Sequence, residues 1–237
     1  MDRAEQHLHH DRVDPHVRGR WLSDLILGAQ DGLVNTLGVV LGVAAASDSV
    51  RVTFAAGLAA GIAEAVSMGA VAFTSSSARG ELYRAERARE YRHVDLTPLV
   101  EREEIRRIYQ RKGFEGLLLE RVVDTICANP DVWVDVMMAE EHELAAVDRR
   151  ASLKAAAVVV GLSALLGSLL PVLPFGFLAQ RAAIIGALTA GAGGLFALGA
   201  VEGKVTNRRS GRSGAALMLI GLASAIVGWV VGAVASR

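Results

Sequence analysis

Five apolar segments, each long enough to cross a lipid bilayer, constrain the fold of this chain more than any other feature of its sequence. A helix rises about 1.5 Å per residue, so roughly 20 apolar residues cross the hydrocarbon core of a membrane. No segment shows the alternation of apolar and polar residues that is typical of a strand. We therefore expect an all-α, polytopic membrane protein. The predicted spans are approximately 23–46, 52–76, 152–171, 177–201 and 213–235.

The charged residues are concentrated between the second and third spans. About two thirds of the acidic residues and half of the basic residues lie between residues 79 and 150. This segregation predicts a water-exposed insert, which reads as three helices following an extension of the second span. Pro171 and Pro174 are expected to end the third span in a turn. The predicted division is a polar tail over 1–20, transmembrane helices 1 and 2 over 21–78, a helical domain over 79–151, and transmembrane helices 3–5 over 152–237.

The distribution of Lys and Arg predicts the orientation of the chain in the membrane. With a cytoplasmic N-terminus, the outer side holds only Arg51, Arg181 and Arg237. Cytoplasmic loops favour basic residues, so the N-terminus and the insert are predicted to be cytoplasmic and the C-terminus to lie on the opposite side. The polar tail lacks the apolar core of a cleavable signal peptide, so insertion is expected to rely on the first span.

Several other functions receive no support from the sequence. The net charge of zero argues neither for nor against nucleic acid, and we expect no such partner. Cys127 is the single cysteine, which excludes an internal disulfide. Ser75, Ser76 and Ser77 have no adjacent histidine base, so we do not expect an enzyme. The histidines of the tail could capture metal, although a polar tail needs no such explanation.

Asp31 lies inside the first apolar segment, where a charged side chain costs about 3 kcal/mol unless it faces protein, water or a cation. Asn35 follows it by four residues and shares its helix face. Glu64 and Met68 of the second span are also four apart. Two neighbouring helices could thus present two carboxylates, an amide and a thioether to a cavity, a set that suits Mn²⁺ or Fe²⁺. The alternative is that the polar groups form interhelical hydrogen bonds and Met68 only packs.

The insert offers a second set of potential ligands at helical spacing. Glu90 and His93 are three apart, as are Glu101 and Glu104. The alternative is that these acids are ordinary surface charges paired with basic neighbours. On spacing alone, this alternative is the favoured interpretation. The available neighbours are Arg84, Arg87, Arg106 and Arg107.

The adjacent pair Met137 and Met138, shortly before Glu141, is more informative. Adjacent residues point about 100° apart on a helix, so a narrow apolar stripe does not need both methionines. The helix that carries them, starting near residue 131, could run on into the third span.

Several segments together resemble the vacuolar iron transporter family and its nodulin-like relatives. The most specific are DGLVNTLGVVLGVAAA, in the first span, and DVWVDVMMAEEHEL, in the insert. Others, in chain order over residues 20–235, are AEAVSMGAVAF, IYQRKG, GSLLPVLPF and GKVTNRRSGRSGAALMLIGLASA. The resemblance implies five spans, a homodimer, a cytoplasmic three-helix metal-binding domain, and export of Fe²⁺, often also Mn²⁺, in exchange for protons.

The resemblance also implies roles for individual residues. Asp31 and Met68 would line the translocation path, whereas Glu64 is taken from the spacing. The ligands implied in the insert are Glu90, Glu101, Glu104, Met137, Met138 and Glu141. His93 departs from the pattern, since it stands where another glutamate is expected. Imidazole still binds Fe²⁺, Mn²⁺ or Zn²⁺, but it must lose its proton to do so.

The expected function is a divalent-metal/proton antiporter that exports Fe²⁺ or Mn²⁺ from the cytoplasm. Its partners would be membrane lipid, divalent metal ions including Zn²⁺, protons and a second copy of the chain, and no cofactor is expected. The membrane would be the inner cell membrane of a prokaryote or the vacuolar membrane of a eukaryote. The alternative is a membrane-anchored metal buffer or sensor that does not transport.

Overall fold

The structure, a computed structural model, describes residues 20–144, 150–206 and 208–236. The predicted polar tail therefore lies outside the described residues, except for Arg20. The described part of the chain contains eight helices and no strand, so the all-α prediction is confirmed for these residues. The helices are α1 (Arg20–Ala46), α2 (Val50–Leu96), α3 (Pro98–Arg111), α4 (Gly116–Cys127), α5 (Pro130–Glu140), α6 (Arg150–Phe177), α7 (Gln180–Val205) and α8 (Ser210–Ala235).

Five of these helices are long and apolar enough to cross a membrane, which confirms the predicted number of spans. They are α1, α2, α6, α7 and α8. The chain divides into two compact units, which we call the membrane unit and the insert unit. The membrane unit comprises Met1–Phe73 with Lys154–Arg237, and the insert unit comprises Thr74–Leu153. Helix α2 contributes residues to both units.

Glycines allow the helices of the membrane unit to approach one another closely. A Cβ atom on Gly42 of α1 would lie only 2.8 Å from the carbonyl oxygen of Gly228 in α8. A Cβ on Gly38, one turn earlier, would lie 2.8 Å from the Oγ of Ser224. Small residues four apart thus form an α1–α8 contact within the chain. Packing at this distance stabilises helix pairs in lipid, where the hydrophobic effect does not drive their association.

The two prolines of α6 do not end the helix, so the predicted turn at Pro171 and Pro174 is wrong. Both lie inside α6, which continues to Phe177. Each proline removes one N–H group from the helix, but neighbouring helices and local adjustment tolerate this loss within a membrane protein. Val172 and Phe175 of the same segment are buried in the membrane unit, and this packing favours continuation of the helix.

The insert unit has its own apolar core. Ile105 of α3, Val123 of α4 and Val134 of α5 are fully buried there, together with Trp133. The three short helices contact one another, and α2 adds Val94 to the same core. These apolar contacts position the helices that also carry the acidic residues of the insert.

The last helix of the insert does not run on into the third span, contrary to expectation. Helix α5 ends at Glu140, and Glu143 adopts a positive φ of 52°. A residue with this backbone conformation interrupts an α-helix. The N–H of His142 donates instead to the carbonyl of Met137 at 3.3 Å, and the N–H of Leu144 to that of Met138 at 2.9 Å. Residues 141–144 therefore form a turn.

Candidate metal sites

The structure brings three of the four predicted membrane residues together between α1 and α2. The side-chain amide of Asn35 donates a hydrogen bond to the carboxylate of Glu64. Asp31 is close enough to the same carboxylate to interact with it electrostatically. Met68 is half-buried and follows Glu64 by one turn of α2. We call Asp31, Asn35 and Glu64 the membrane cluster.

In the insert unit, Glu90 and His93 of α2 face Glu101 of α3. One potential ligand atom from each of the three lies within 4.8 Å of the other two. The Nδ1 of His93 is 3.7 Å from Glu90 Oε1 and 3.6 Å from Glu101 Oε1. The three residues therefore present two carboxylates and an imidazole to one point. We call this group the insert triad.

The two glutamates of the insert triad are buried without full hydrogen bonding. Their exposed fractions are 3% for Glu90 and 4% for Glu101. Among the described residues, the Oε2 atoms of these glutamates are buried and have no hydrogen-bond partner. A buried carboxylate oxygen without a donor is costly in free energy, whereas a bound cation would satisfy it. The unpartnered oxygens are the strongest structural sign of a cation site in the insert.

Glu104 and Glu141 extend the acidic group around the insert triad. Burial and the nearby Glu104 and Glu90 carboxylates raise the pKa of Glu101 to about 7. Burial, followed by repulsion from Glu104, also raises the pKa of Glu141. Neighbouring negative charges thus disfavour the ionised forms of Glu101 and Glu141, and a divalent cation would remove this repulsion.

Met137 and Met138 lie in the apolar core of the insert, with exposed fractions of 0% and 1%. Their burial is explained by packing against the neighbouring helices. Helix α5 buries more than a narrow apolar stripe, so packing alone accounts for the position of both methionines. Their proposed role as ligands stays a prediction.

The arginines that could have neutralised the insert acids form other contacts. Each of the four makes a hydrogen bond or ion pair with an atom outside the insert triad. These contacts are Arg84 with the Gly80 carbonyl, Arg87 with Asp135, Arg106 with Glu120 and Arg107 with Glu103. Surface pairing with these arginines therefore does not explain the buried carboxylates.

His142 is a polar neighbour of the insert triad that the sequence interpretation missed. Its Nε2 lies 3.1 Å from Glu90 Oε1, and its side chain is 28% exposed. Residues were paired in the sequence by helical spacing, and α5 was expected to continue past this position. The one available signal was the direct succession of Glu141, His142 and Glu143 after the methionine pair.

The five long apolar helices make the chain a multi-pass membrane protein. The model of the VIT family matches residues 22–233, which is nearly the whole chain. The chain therefore belongs to the VIT family, which is a family of transporters and not of enzymes.

Curated relatives carry names that agree with this assignment. Vacuolar iron transporter 1 of Oryza sativa subsp. japonica is 30% identical over 239 residues, covering 100% of this chain and 94% of the relative. Vacuolar iron transporter 1 of Arabidopsis thaliana is 27% identical over 215 residues, covering 90% and 86%. The vacuolar iron transporter of Plasmodium berghei is 29% identical over 143 residues, covering 58% and 52%.

Proposed function

We propose that this protein transports Fe²⁺ or Mn²⁺ out of the cytoplasm in exchange for protons. The observation that carries the proposal is the membrane cluster. Asp31 and Glu64 are acids in two apolar helices, and they meet at one place with the amide of Asn35. Acidic residues inside membrane spans generally mark ion or proton pathways.

The chemistry of the cluster suits a transition-metal cation that must also leave. Carboxylate and amide oxygens bind Mn²⁺ and Fe²⁺, and the thioether of Met68 would add a softer ligand that disfavours Mg²⁺ and Ca²⁺. Carboxylates bind metal only when deprotonated, so proton uptake by Asp31 or Glu64 would accompany metal release. Because both cations compete for the same oxygens, transport and proton movement are coupled without further machinery.

We propose that the insert gathers the metal before it enters the membrane pathway. The partly unpartnered carboxylates of Glu90 and Glu101 support this role, together with His93, Glu104 and Glu141. Met137 and Met138 would supply thioether ligands from the apolar core. We propose that the insert is cytoplasmic and that the C-terminus lies on the opposite side, which the distribution of basic residues supports.

We further propose a homodimer. Asn35 is exposed on α1 although its segment is apolar enough to span a membrane. A polar side chain facing lipid is unfavourable, and a second copy of the chain would cover it.

The membrane would be the inner cell membrane in a prokaryote or the vacuolar membrane in a eukaryote. The names of the relatives support iron as a cargo.

Metal uptake into liposomes that contain the purified protein tests this function. The assay follows Fe²⁺ or Mn²⁺ entry with and without an imposed pH gradient, and compares wild type with Asp31→Ala. We expect uptake that the pH gradient accelerates and that Asp31→Ala abolishes. Metal binding without uptake in wild type would instead support the buffer or sensor alternative. Uptake that is unaffected by the pH gradient would contradict proton exchange.

A further inference from the structure

His142 occupies a defined position beside the insert triad. Its backbone is held in the turn after α5 by the hydrogen bond to Met137, and Glu143, the next residue of this turn, has a positive φ. Its Nε2 approaches Glu90 Oε1 to 3.1 Å. Because α5 ends before His142, the position of the imidazole is set by this turn and not by the helix.

The distance between His142 and Glu90 matches that between neighbouring ligands of one ion, and the distance between His93 and Glu90 is slightly longer. Metal–ligand bonds of 2.0–2.2 Å separate adjacent ligand atoms by about 2.8–3.6 Å in octahedral or tetrahedral geometry. The Nε2 of His142 lies 3.1 Å from Glu90 Oε1. The Nδ1 of His93 lies 3.6 Å from Glu101 Oε1 and 3.7 Å from Glu90 Oε1. The Nε2 of His142 contacts Glu90 but does not belong to the group of ligand atoms that lie within 4.8 Å of one another. The imidazole would therefore have to move toward His93 and Glu101 for the four side chains to share a cation.

The buried oxygens provide a second and independent observation. Glu90 and Glu101 are more than nine-tenths buried, and each has an Oε2 atom without a partner among the described residues. His142 bonds only one oxygen of Glu90, so the imidazole alone does not satisfy this carboxylate. A cation bound between the glutamates and the two imidazoles would satisfy both.

We propose that His142 is a metal ligand of the insert site and, with His93, makes it a site of two imidazoles and two carboxylates. This inference rests on the proposed metal binding by the insert. Imidazole suits Fe²⁺, Co²⁺ and Zn²⁺, whereas Mg²⁺, Ca²⁺ and Mn²⁺ bind well to oxygen alone. The two histidines therefore bias the insert toward the later transition metals. Loss of His142 should weaken Co²⁺ and Zn²⁺ binding more than Mn²⁺ binding.

The test uses the full-length protein in detergent, with the tail histidines His7, His9, His10 and His16 replaced by Gln. Titrations with Co²⁺, Zn²⁺ and Mn²⁺ compare this background with His142→Gln. We expect affinity for Co²⁺ and Zn²⁺ to fall on the order of tenfold to a hundredfold, and affinity for Mn²⁺ to fall only a few fold. Glu143→Gln is the matched control in the same turn and should bind as the background does.

Electron spin-echo spectroscopy of bound Mn²⁺ then counts the coordinated nitrogens. We expect two in the background, and one each in His142→Gln and His93→Gln. An unchanged nitrogen count in His142→Gln overturns the proposal even if affinity falls, because His142 then only positions Glu90. Unchanged affinities overturn it as well. If the background binds no metal at the insert, this inference and the proposed gathering role both fail. If the background binds metal and His142→Gln changes nothing, only this inference fails.

Discussion

The membrane cluster and the insert triad both bring two carboxylates together, but they satisfy them differently. In the membrane cluster, Asn35 donates a hydrogen bond to Glu64, and Asp31 and Glu64 are only half-buried. In the insert triad, Glu90 and Glu101 are almost completely buried, and each keeps an oxygen without a donor. Glu64 thus has a hydrogen-bond donor within its own cluster, whereas Glu90 and Glu101 each keep one buried oxygen that a cation would satisfy.

This difference indicates two different tasks. In the membrane cluster the amide hydrogen bond from Asn35 to Glu64 does not depend on metal, and it would stabilise the empty state after an ion is released. A site with repelling, buried carboxylates gains more from binding a cation and therefore retains it longer. We infer that the membrane cluster is suited to passage and the insert triad to capture.

The largest expected effect is the loss of transport in Asp31→Asn. The substitution keeps the shape of the side chain and removes its charge, so the cluster loses a carboxylate that would alternate between metal and proton. We expect metal uptake by liposomes to fall at least a hundredfold, while metal binding by the insert in the same protein is unchanged.

Asp48→Asn is the control for this experiment, because Asp48 is exposed in the loop between α1 and α2. It should transport as wild type does. Transport by Asp31→Asn at a rate near that of wild type would remove Asp31 from the pathway and erase the distinction between the two sites.

The second prediction concerns capture. Glu101→Gln removes one buried charge from the insert triad and should weaken Fe²⁺, Co²⁺ and Zn²⁺ binding by about tenfold to a hundredfold. In liposomes, the metal concentration for half-maximal uptake should rise while uptake at saturating metal persists. Glu115→Gln, which changes an exposed carboxylate at the start of α4, is the control. A complete loss of uptake at saturating metal would show that the insert is needed for passage as well as capture.

The elements predicted from the sequence are those that depend on regular helical spacing. The five apolar segments follow from length and composition. The pairing of Asp31 with Asn35 and of Glu90 with His93 follows from the period of a helix. These pairs then meet Glu64 and Glu101, which come from a neighbouring helix, through packing that spacing alone does not specify. The roles of these residues in transport stay predictions.

The features that were missed depend on tertiary structure. Pro171 and Pro174 were expected to stop α6, but the packing of Val172 and Phe175 keeps the segment helical. The end of α5 has no glycine to mark it, because Glu143 adopts the positive φ itself. Without this turn the position of His142 could not be inferred. Local sequence signals therefore predicted most of the helices but not two of their ends.

The third prediction uses the raised pKa of Glu101 and concerns the metal-free protein. In the unfolded chain this carboxyl loses its proton near its ordinary pKa of 4.5, whereas in the folded insert it keeps the proton up to about pH 7. Between these values the folded state binds more protons, so the free energy of unfolding falls as pH rises and levels off above pH 7. We expect a decrease of about 1–3 kcal/mol over this interval.

Fluorescence of Trp133, which is buried in the insert core, reports this unfolding in full-length protein that carries Trp21→Phe and Trp229→Phe. A metal chelator is present throughout. Glu101→Gln should remove most of the decrease, because its side chain does not titrate. A stability that rises over the same interval in wild type would contradict the assigned direction. The half-buried membrane cluster should show no matching transition in this probe.

The smallest expected effect is that of Met138→Leu. Leucine has nearly the same volume as methionine, so the core of the insert should lose less than about 1.5 kcal/mol of stability. The substitution removes the thioether, which prefers softer ions. If Met138 is a ligand, affinity for Cd²⁺ should fall several fold while affinity for Mn²⁺ hardly changes. Calorimetric titration of both ions into wild type, Met138→Leu and Met137→Leu measures this difference.

An equal loss of affinity for both ions would indicate altered packing, and no loss for either ion would leave Met138 a core residue only. In either of these cases the capture site consists of carboxylates and imidazoles, and its preference for transition metals comes from nitrogen alone.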